Sequence, residues 1–400
     1  MDAEQRDQAV SGGKTGLSRL ALFFLRLGTT AFGGPAAHVA MMEDEVVRRR
    51  RWLSPDKFLD LLGAANLIPG PSSTEMAIFI GYVCEGRTGL LLSGICFIVP
   101  ATIMVLAFAW AYVQYGNLPQ VGWLFYGIKP VVIAIVLQAL LSLGRTALKT
   151  RFLGVVAAAA FVLDFLGLNP LALLFGAGLV TGLRQGFIQD WRKNRLPMLI
   201  LLLSACCFAT GAYFASGLHS TGKVDFGLLP LFLFFLKIGS VVFGSGYVLL
   251  AFLHADLVDH WHWLTTTQLL DAIAIGQVTP GPVFTTATFI GYLLGGLPGA
   301  LIATAGIFLP SFIFVAAVSP ILPRLRSSAI AGAFLDGVIA ASLALMAAVT
   351  WSLGLGAIID LPTALLALGS AVALIRFGLN SLWLVLSGAL IGTAIKAITN

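Results

Sequence analysis

Two short clusters carry the residue types that could recognise an oxyanion. In the first, Asn66 precedes Pro69-Gly70-Pro71, and Ser72-Ser73-Thr74 follow at once. In the second, Gln277 precedes Pro280-Gly281-Pro282, with Thr285-Thr286 close behind. Proline ends one helix and opens the next, and Ser and Thr suit the cap of the new helix. Each cluster therefore reads as a helix end, a turn and a helix start, the tip of a hairpin. A helix start offers unpaired backbone N–H groups and the positive end of the dipole, and neighbouring hydroxyls add donors. One isolated Pro-Gly-Pro would read as a plain turn between packed helices. Two copies, each with an amide before and hydroxyls after, read as a site.

Charged side chains inside apolar stretches come next, because each is costly in lipid and needs a partner or a water-filled cavity. Arg26 and Lys237 hold equivalent places, after Leu22-Phe23-Phe24-Leu25 and Leu233-Phe234-Phe235-Leu236. A long cationic side chain near a helix end can snorkel to the interface, but its duplication favours a pair that neutralises a bound anion. Glu75 follows the first hydroxyl cluster, where it is either a first-turn acid on the helix dipole or a proton carrier; Thr286 stands at the matching place. Asp60 and Asp271 are duplicated and read as caps or braces of the hairpins, with a role in transport as the alternative. Lys129 has Ile339 at its match, Asp336 lies one turn before that, and neither gains a role. His38 has no counterpart. His254, His260 and His262 fall together without a nearby thiol, and no metal site is assigned.

The elements that must hold these residues are written twice. Residues 22 to 71 align without gaps to 233 to 282 at an offset of 211, with sixteen identities in fifty positions. Shared leucines would mean little, but Trp52 with Trp263, Asp60 with Asp271 and the two Pro-Gly-Pro turns are in register. At an offset of 210 the match continues through Gly81-Tyr82 with Gly291-Tyr292, Pro100 with Pro310 and Gly127 with Gly337. A second pair of clusters, Phe32-Gly33-Gly34-Pro35 and Phe243-Gly244-Ser245-Gly246, interrupts each first apolar segment before the ~20 residues a full crossing needs. Gly33, Gly34 and Gly244 thus join the candidate site as breaks in helices.

Loop charge gives the relative direction of the copies. The connection at Arg48-Arg49-Arg50-Arg51 is basic, whereas its match, Asp259-His260-Trp261-His262, has no Lys or Arg. Residues 114 to 120 lack Lys and Arg while their counterpart reaches Arg324 and Arg326, and Arg145, Lys149 and Arg151 correspond to a stretch ending in Asp360. Basic loops stay cytoplasmic, so the copies are expected to be inverted. The expected division is a polar cytoplasmic tail over 1–16, a first transport repeat over 17–184, a linker with a connecting helix over 185–225, and an inverted second repeat over 226–398. Its basic residues are Arg184 at the boundary and Arg192, Lys193 and Arg195 within it, and residues 197–216 are expected to form the connecting helix.

Composition fits this reading. Of 400 residues 58% are hydrophobic and 10% charged, against about 25% charged in an average soluble domain. Residues 264 to 323 hold one Asp, Glu, Lys or Arg, Asp271. The fold class expected is an all-α polytopic membrane protein of roughly ten spans, an inverted repeat with broken helices or re-entrant hairpins. The net charge of +6 sits in short loops, which orients helices and does not imply nucleic acid. Cys84, Cys96, Cys206 and Cys207 read as small apolar residues. The first sixteen residues are polar and of mixed charge, unlike a cleaved signal peptide, and the N-terminus is expected to stay cytoplasmic.

The Phe-Gly-Gly-Pro at 32 to 35, the Pro-Gly-Pro at 69 to 71 and again at 280 to 282, and the Gly-Tyr after each together resemble the chromate ion transporter family in its long, two-domain form. The resemblance implies a multi-pass protein of the bacterial inner membrane that exports chromate and confers resistance, with the Gly-rich and Pro-Gly-Pro residues as functional positions. The second copy departs from the pattern with Gly-Ser-Gly. The residues alone support an anion transporter without cofactor, and sulfate remains a rival because it too is a tetrahedral dianion. Other expected partners are membrane lipid and, left open, a second copy in a homodimer. A membrane-embedded enzyme is the competing class; it would need a nucleophile and base or a metal motif such as His-Glu-x-x-His, which the sequence lacks.

Overall fold

The computed structural model describes residues 15–32, 34–66, 68–116, 118–188, 224–243, 248–319 and 329–399. Gly33, Gly244, Arg192, Lys193, Arg195, Arg324, Arg326, Cys206, Cys207 and the expected connecting helix over 197–216 lie outside the described residues. The protein is an all-α polytopic membrane protein. The first half runs α1 (Leu17–Thr30), α2 (Gly34–Glu43, continued as a π-helical segment, Asp44–Arg49), α3 (Pro55–Ala65), α4 (Ser72–Tyr115), α5 (Pro119–Ala147), α6 (Arg151–Phe165) and α7 (Pro170–Ile188). The second half runs α8 (Leu228–Val241), α9 (Leu249–Phe252, continued as π-helical Leu253–His260), α10 (Thr266–Val278), α11 (Thr286–Val318), α12 (Ala329–Ala357), α13 (Leu361–Phe377) and α14 (Ser381–Thr399). A short 3-10 turn, Val283–Thr285, leads into α11.

The same local chemistry sets matched boundaries. The Ser54 hydroxyl accepts the Lys57 N–H at the start of α3, and Thr265, its match, forms a capping box with Gln268 at the start of α10. Thr150 caps α6, and its match Asp360 caps α13. Before each hairpin, Arg51 and His262 adopt φ of 52° and 54°. The following tryptophans close the turn, Trp52 N–H donating to Val46 O and Trp263 N–H to Leu257 O. Inside α4 the helix breaks at Glu85 and Gly86, and α11 breaks at Gly295 and Gly296 with nearly the same angles; Gly86 and Gly296 have φ of 62° and 60°. Glycine is the residue that takes such a conformation without steric cost.

Among the described residues five helices are long and apolar enough to cross a membrane: Ser72–Tyr115, Pro119–Ala147, Val283–Val318, Gly332–Ala357 and Ser381–Thr399. Much of the remaining apolar sequence is cut into shorter pieces, such as the 14-residue α1 and α8, because the Gly and Pro clusters interrupt it.

The halves are interlocked. α1 packs on α4 and α8 on α11, each within its own half. By contrast α6 and α7 of the first half pack on α12 of the second, and α13 and α14 of the second pack on α5 of the first. Small residues permit the closest of these crossings: a Cβ on Gly127 of α5 would collide with the backbone of Gly388 and Gly392 in α14, and one on Gly337 of α12 with Ala177 in α7. α4 also meets α11, and α5 meets α12, where the halves join. Outward faces of α13 and α14 carry Leu365, Leu368, Trp383 and Leu390, a surface suited to lipid.

If the copies are inverted across the bilayer, single cysteines near Arg49 and His260, introduced after removal of the four native cysteines, will be labelled by an impermeant thiol reagent from opposite sides. Labelling of both from one side would overturn the inversion.

Candidate functional site

Each Pro-Gly-Pro forms the tip of a hairpin, between α3 and α4 in the first half and between α10 and α11 in the second. Gly70 and Gly281 take φ of 137° and 92°, so glycine is needed at both. The backbone N–H of Gly70 donates to Val242 O at 2.7 Å, and that of Gly281 donates to Ala31 O at 3.0 Å. Ala31 and Val242 are the matched residues that end α1 and α8 at the breaks. Each tip is therefore bound to the broken helix of the other half, and the two exchanges are equivalent. A Cβ on Gly70 would strike the carboxylate of Glu75 and the hydroxyl of Ser311, and one on Gly281 would strike Ala101. Since position 101 matches 311, the same backbone contact is polar at the first tip and apolar at the second.

At the first tip Ser72, Ser73, Thr74 and Glu75 are all buried. Glu75 does not cap its helix. Its carboxylate oxygens, like the hydroxyls of Thr74 and Ser311, have no hydrogen-bond partner among the described residues. At the second tip the hydroxyls of Thr285 and Thr286 donate to Pro282 O and Val283 O, each at 2.8 Å. These two donors are spent on their own turn. Gln277 instead lines a small enclosed cavity of about 50 Å³ with Thr279, Gly281, His38, Gln138 and Ser381. His38 reaches it from α2, with Nε2 3.1 Å from Ala31 O. Sequence reading passed over His38, Gln138 and Ser311, because each is a lone polar residue that the repeat does not duplicate.

A larger open cavity of about 560 Å³ adjoins this region. It is lined by Pro35, Asn66, Ser72, Ser142 and the ion-paired Lys149 and Asp336, and it shares Gln138 with the enclosed cavity. A third cavity, about 450 Å³, is lined by Ala348, Val349 and Ser352, the matches of Gln138, Ala139 and Ser142. No tip residue lines it; the loop between α6 and α7, with His254 of α9, does.

The structure gives the expected pair of cations other surroundings. Lys237 donates to Asp256 at 2.7 Å. Its match, Arg26, is exposed on α1, because Glu45, which corresponds to Asp256, is held by Arg50 at 2.6 Å. Neither cation lines the cavities above. Lys129 pairs with Asp271 at 2.9 Å, and Asp271 also accepts from the Tyr112 hydroxyl at 2.8 Å. This nearly buried triad ties α4 and α5 of the first half to hairpin helix α10 of the second. Asp271 thus has in Lys129 a partner that no spacing could reveal.

Comparison with known proteins completes the picture. The chain is 35% identical over 388 residues to the "Chromate transport protein" of Cupriavidus metallidurans, covering 94% of this chain and 92% of that one. It is 32% identical over 368 residues to the "Probable chromate transport protein" of Synechococcus elongatus, with 90% and 91% covered. It is 32% identical over 330 residues to the "Chromate transport protein" of Pseudomonas aeruginosa, with 82% and 78% covered. No solved structure matches the chain. The profile described as "Chromate transporter" matches twice, over residues 18–183 and 229–393, one match on each half that contributes a hairpin tip and a broken helix. The chain belongs to the chromate transporter family, a family of transporters and not of enzymes.

Proposed function

We propose that the protein exports chromate across the bacterial inner membrane and so confers resistance to it, with the two hairpin tips and the broken helices forming the substrate site. The observation that carries this reading is the reciprocal bonding of Gly70 to Val242 O and of Gly281 to Ala31 O. It draws two helix starts, two breaks and the polar groups beside them into one region shared by both halves. Names carried by the relatives supply chromate as the substrate. The open cavity that includes Lys149 and reaches Asn66 and Ser72 is the entry from the cytoplasmic side, since it lies at the basic end of α5. Its match in the second half, cut off from the tips, is the exit in its closed state. Alternation between the two would carry the oxyanion past the tips.

Energetics favour the outward direction. Each charge moved across the membrane is worth about 2.3 kcal/mol per 100 mV, so a dianion leaving a negative interior gains roughly 4.6 kcal/mol. At 1.4 kcal/mol per tenfold this sustains an outward gradient on the order of a thousandfold. Glu75, buried beside Gly70, is the group that would carry a proton at the first tip if the cycle exchanged one. Everted vesicles containing the protein will accumulate chromate, and valinomycin with potassium will suppress this more than nigericin does. The opposite order, with complete loss in Glu75→Gln, would make the protein a proton-coupled antiporter; absence of accumulation above vesicles lacking the protein would overturn the reading.

Gly70→Val and Gly281→Val will each lower transport at least tenfold at normal membrane abundance, since either side chain breaks a tip-to-break contact. Unchanged rates in both would remove the tips from the pathway. Lys237→Gln will leave Asp256 without its cation and lower membrane abundance or transport severalfold. Adding Asp256→Asn will restore most of the loss if Lys237 serves the ion pair, and will restore none if Lys237 binds the anion itself.

A further inference from the structure

The small cavity at the Gly281 tip has a property that neither the repeat nor the proposed site residues account for: among the described residues its polar lining holds one titratable side chain, His38. The ring is 1% exposed and is held edge-on against Phe97. Nε2 lies 3.1 Å from Ala31 O, a carbonyl that can only accept, so Nε2 carries the proton. In the neutral ring Nδ1 is then an acceptor, and it has no partner among the described residues. The same Ala31 carbonyl takes the Gly281 N–H, so His38 and the hairpin tip share one anchor. Leu249 stands at the matching position of the second half, and the arrangement occurs once.

The rest of the lining supplies donors. Gln138 and Gln277 contribute amides and Ser381, which opens the 19-residue helix α14, a hydroxyl, whereas the Thr279 hydroxyl donates to Ile275 O at 2.8 Å. Groups facing the cavity from α5, the α10 hairpin and α14 are all uncharged. The acids further along α2, Glu43, Asp44 and Glu45, are bound to Arg48, Arg49 and Arg50. In the adjoining open cavity Lys149 and Asp336 bind each other. A single water needs ~10–15 Å³ of such space, so about 50 Å³ takes roughly four water-sized atoms, the number of oxygens in a tetrahedral oxyanion.

We propose that this cavity binds a tetrahedral oxyanion together with one proton, held between an oxyanion oxygen and His38 Nδ1. The inference rests on the transporter reading above and names the form of substrate it selects. A dianion offers only acceptors, and its oxygen against the Nδ1 lone pair is repelled. A hydrogen oxyanion presents an O–H to Nδ1 while its other oxygens take the amide and hydroxyl donors. The alternative description, imidazolium with the dianion, has the same composition, and no bond other than that to the proton is made or broken. A cation or an anion alone in so confined a space costs more than the two together. Hydrogen chromate is a weak acid, partly protonated near neutral pH, and hydrogen sulfate is a strong one. The proton therefore separates two dianions of like shape and charge. It also reduces the charge moved per oxyanion from two to one.

The test uses the purified full-length protein and His38→Gln, which keeps an amide donor for Ala31 O and has no titratable nitrogen. Chromate and, separately, sulfate are added in weak buffer with a pH indicator, and both are assayed for transport in proteoliposomes between pH 6 and 9. Wild type is expected to take up about one proton per chromate dianion bound, to lose chromate affinity up to tenfold per pH unit in the alkaline range, and to resist a hundredfold excess of sulfate. His38→Gln is expected to bind chromate without proton uptake, with a flat pH profile and with sulfate competing. Wild-type chromate transport without proton uptake, equal handling of sulfate, or unchanged proton uptake in His38→Gln would overturn the role of His38 and leave the transporter reading standing. Loss of the pH dependence in Glu75→Gln with its retention in His38→Gln would move the proton to the first tip and also overturn it. Failure of wild type to bind or move either anion would overturn both.

Discussion

A helix broken inside a membrane leaves backbone carbonyls that lipid cannot satisfy, and in this protein the cure for each break comes from the other half of the chain. Val242 O receives the Gly70 N–H and Ala31 O the Gly281 N–H. An unpaired backbone group in hydrocarbon costs several kcal/mol, so neither break is stable without the opposite tip, and neither tip is fixed without the opposite break. The hairpins, the interruptions of α1 and α8, and the crossing of α4 with α11 follow from that exchange. Each half holds both complementary parts and gives each to the other.

On this shared backbone the two halves have diverged in their side chains. Glu75 and Ser311 meet the first tip where Thr286 and Ala101 occupy the corresponding places. His38 stands opposite Leu249, and Lys129 opposite Ile339. The second hairpin is tied by a charge triad, Asp271 with Lys129 and Tyr112. Removing one member of a buried pair commonly costs more than the pair contributes, so that triad serves to fix α10 in place more than to add stability. The symmetric part of the molecule is its frame, and the polar side chains around the tips depart from symmetry.

The frame was legible in the sequence because its determinants are local. Gly-Pro clusters break helices, Ser54 and Thr265 start them, and a constant offset aligns the two sets of signals without knowledge of the fold. Charge was less legible. Arg26 and Lys237 look alike along the chain, but their partners depend on which acid a nearby arginine has taken: Arg50 holds Glu45, while Asp256 is left for Lys237. Lys129 and Asp271 are 142 positions apart, in different halves, and their matches do not repeat the pairing. His38 showed in the sequence only as a residue without a counterpart, since a single histidine gains meaning from the Ala31 carbonyl that its ring meets and the cavity that it lines.

The two larger cavities bring these points together. Gln138, Ala139 and Ser142 line one, and the matched Ala348, Val349 and Ser352 line the other. The first extends to Asn66 and Ser72 at a tip, whereas the second ends against the loop between α6 and α7. An exchange of the halves' conformations would open the second and close the first while keeping both tip-to-break bonds, since those bonds are themselves interchanged by the same symmetry. The side chains are not interchanged: the amide of Gln138 would give way to Ala348, and His38 to Leu249. A carrier with a symmetric frame and an asymmetric lining would hold an anion more tightly in one state than in the other, and Gln138 belongs both to the open cavity and to the one that His38 lines.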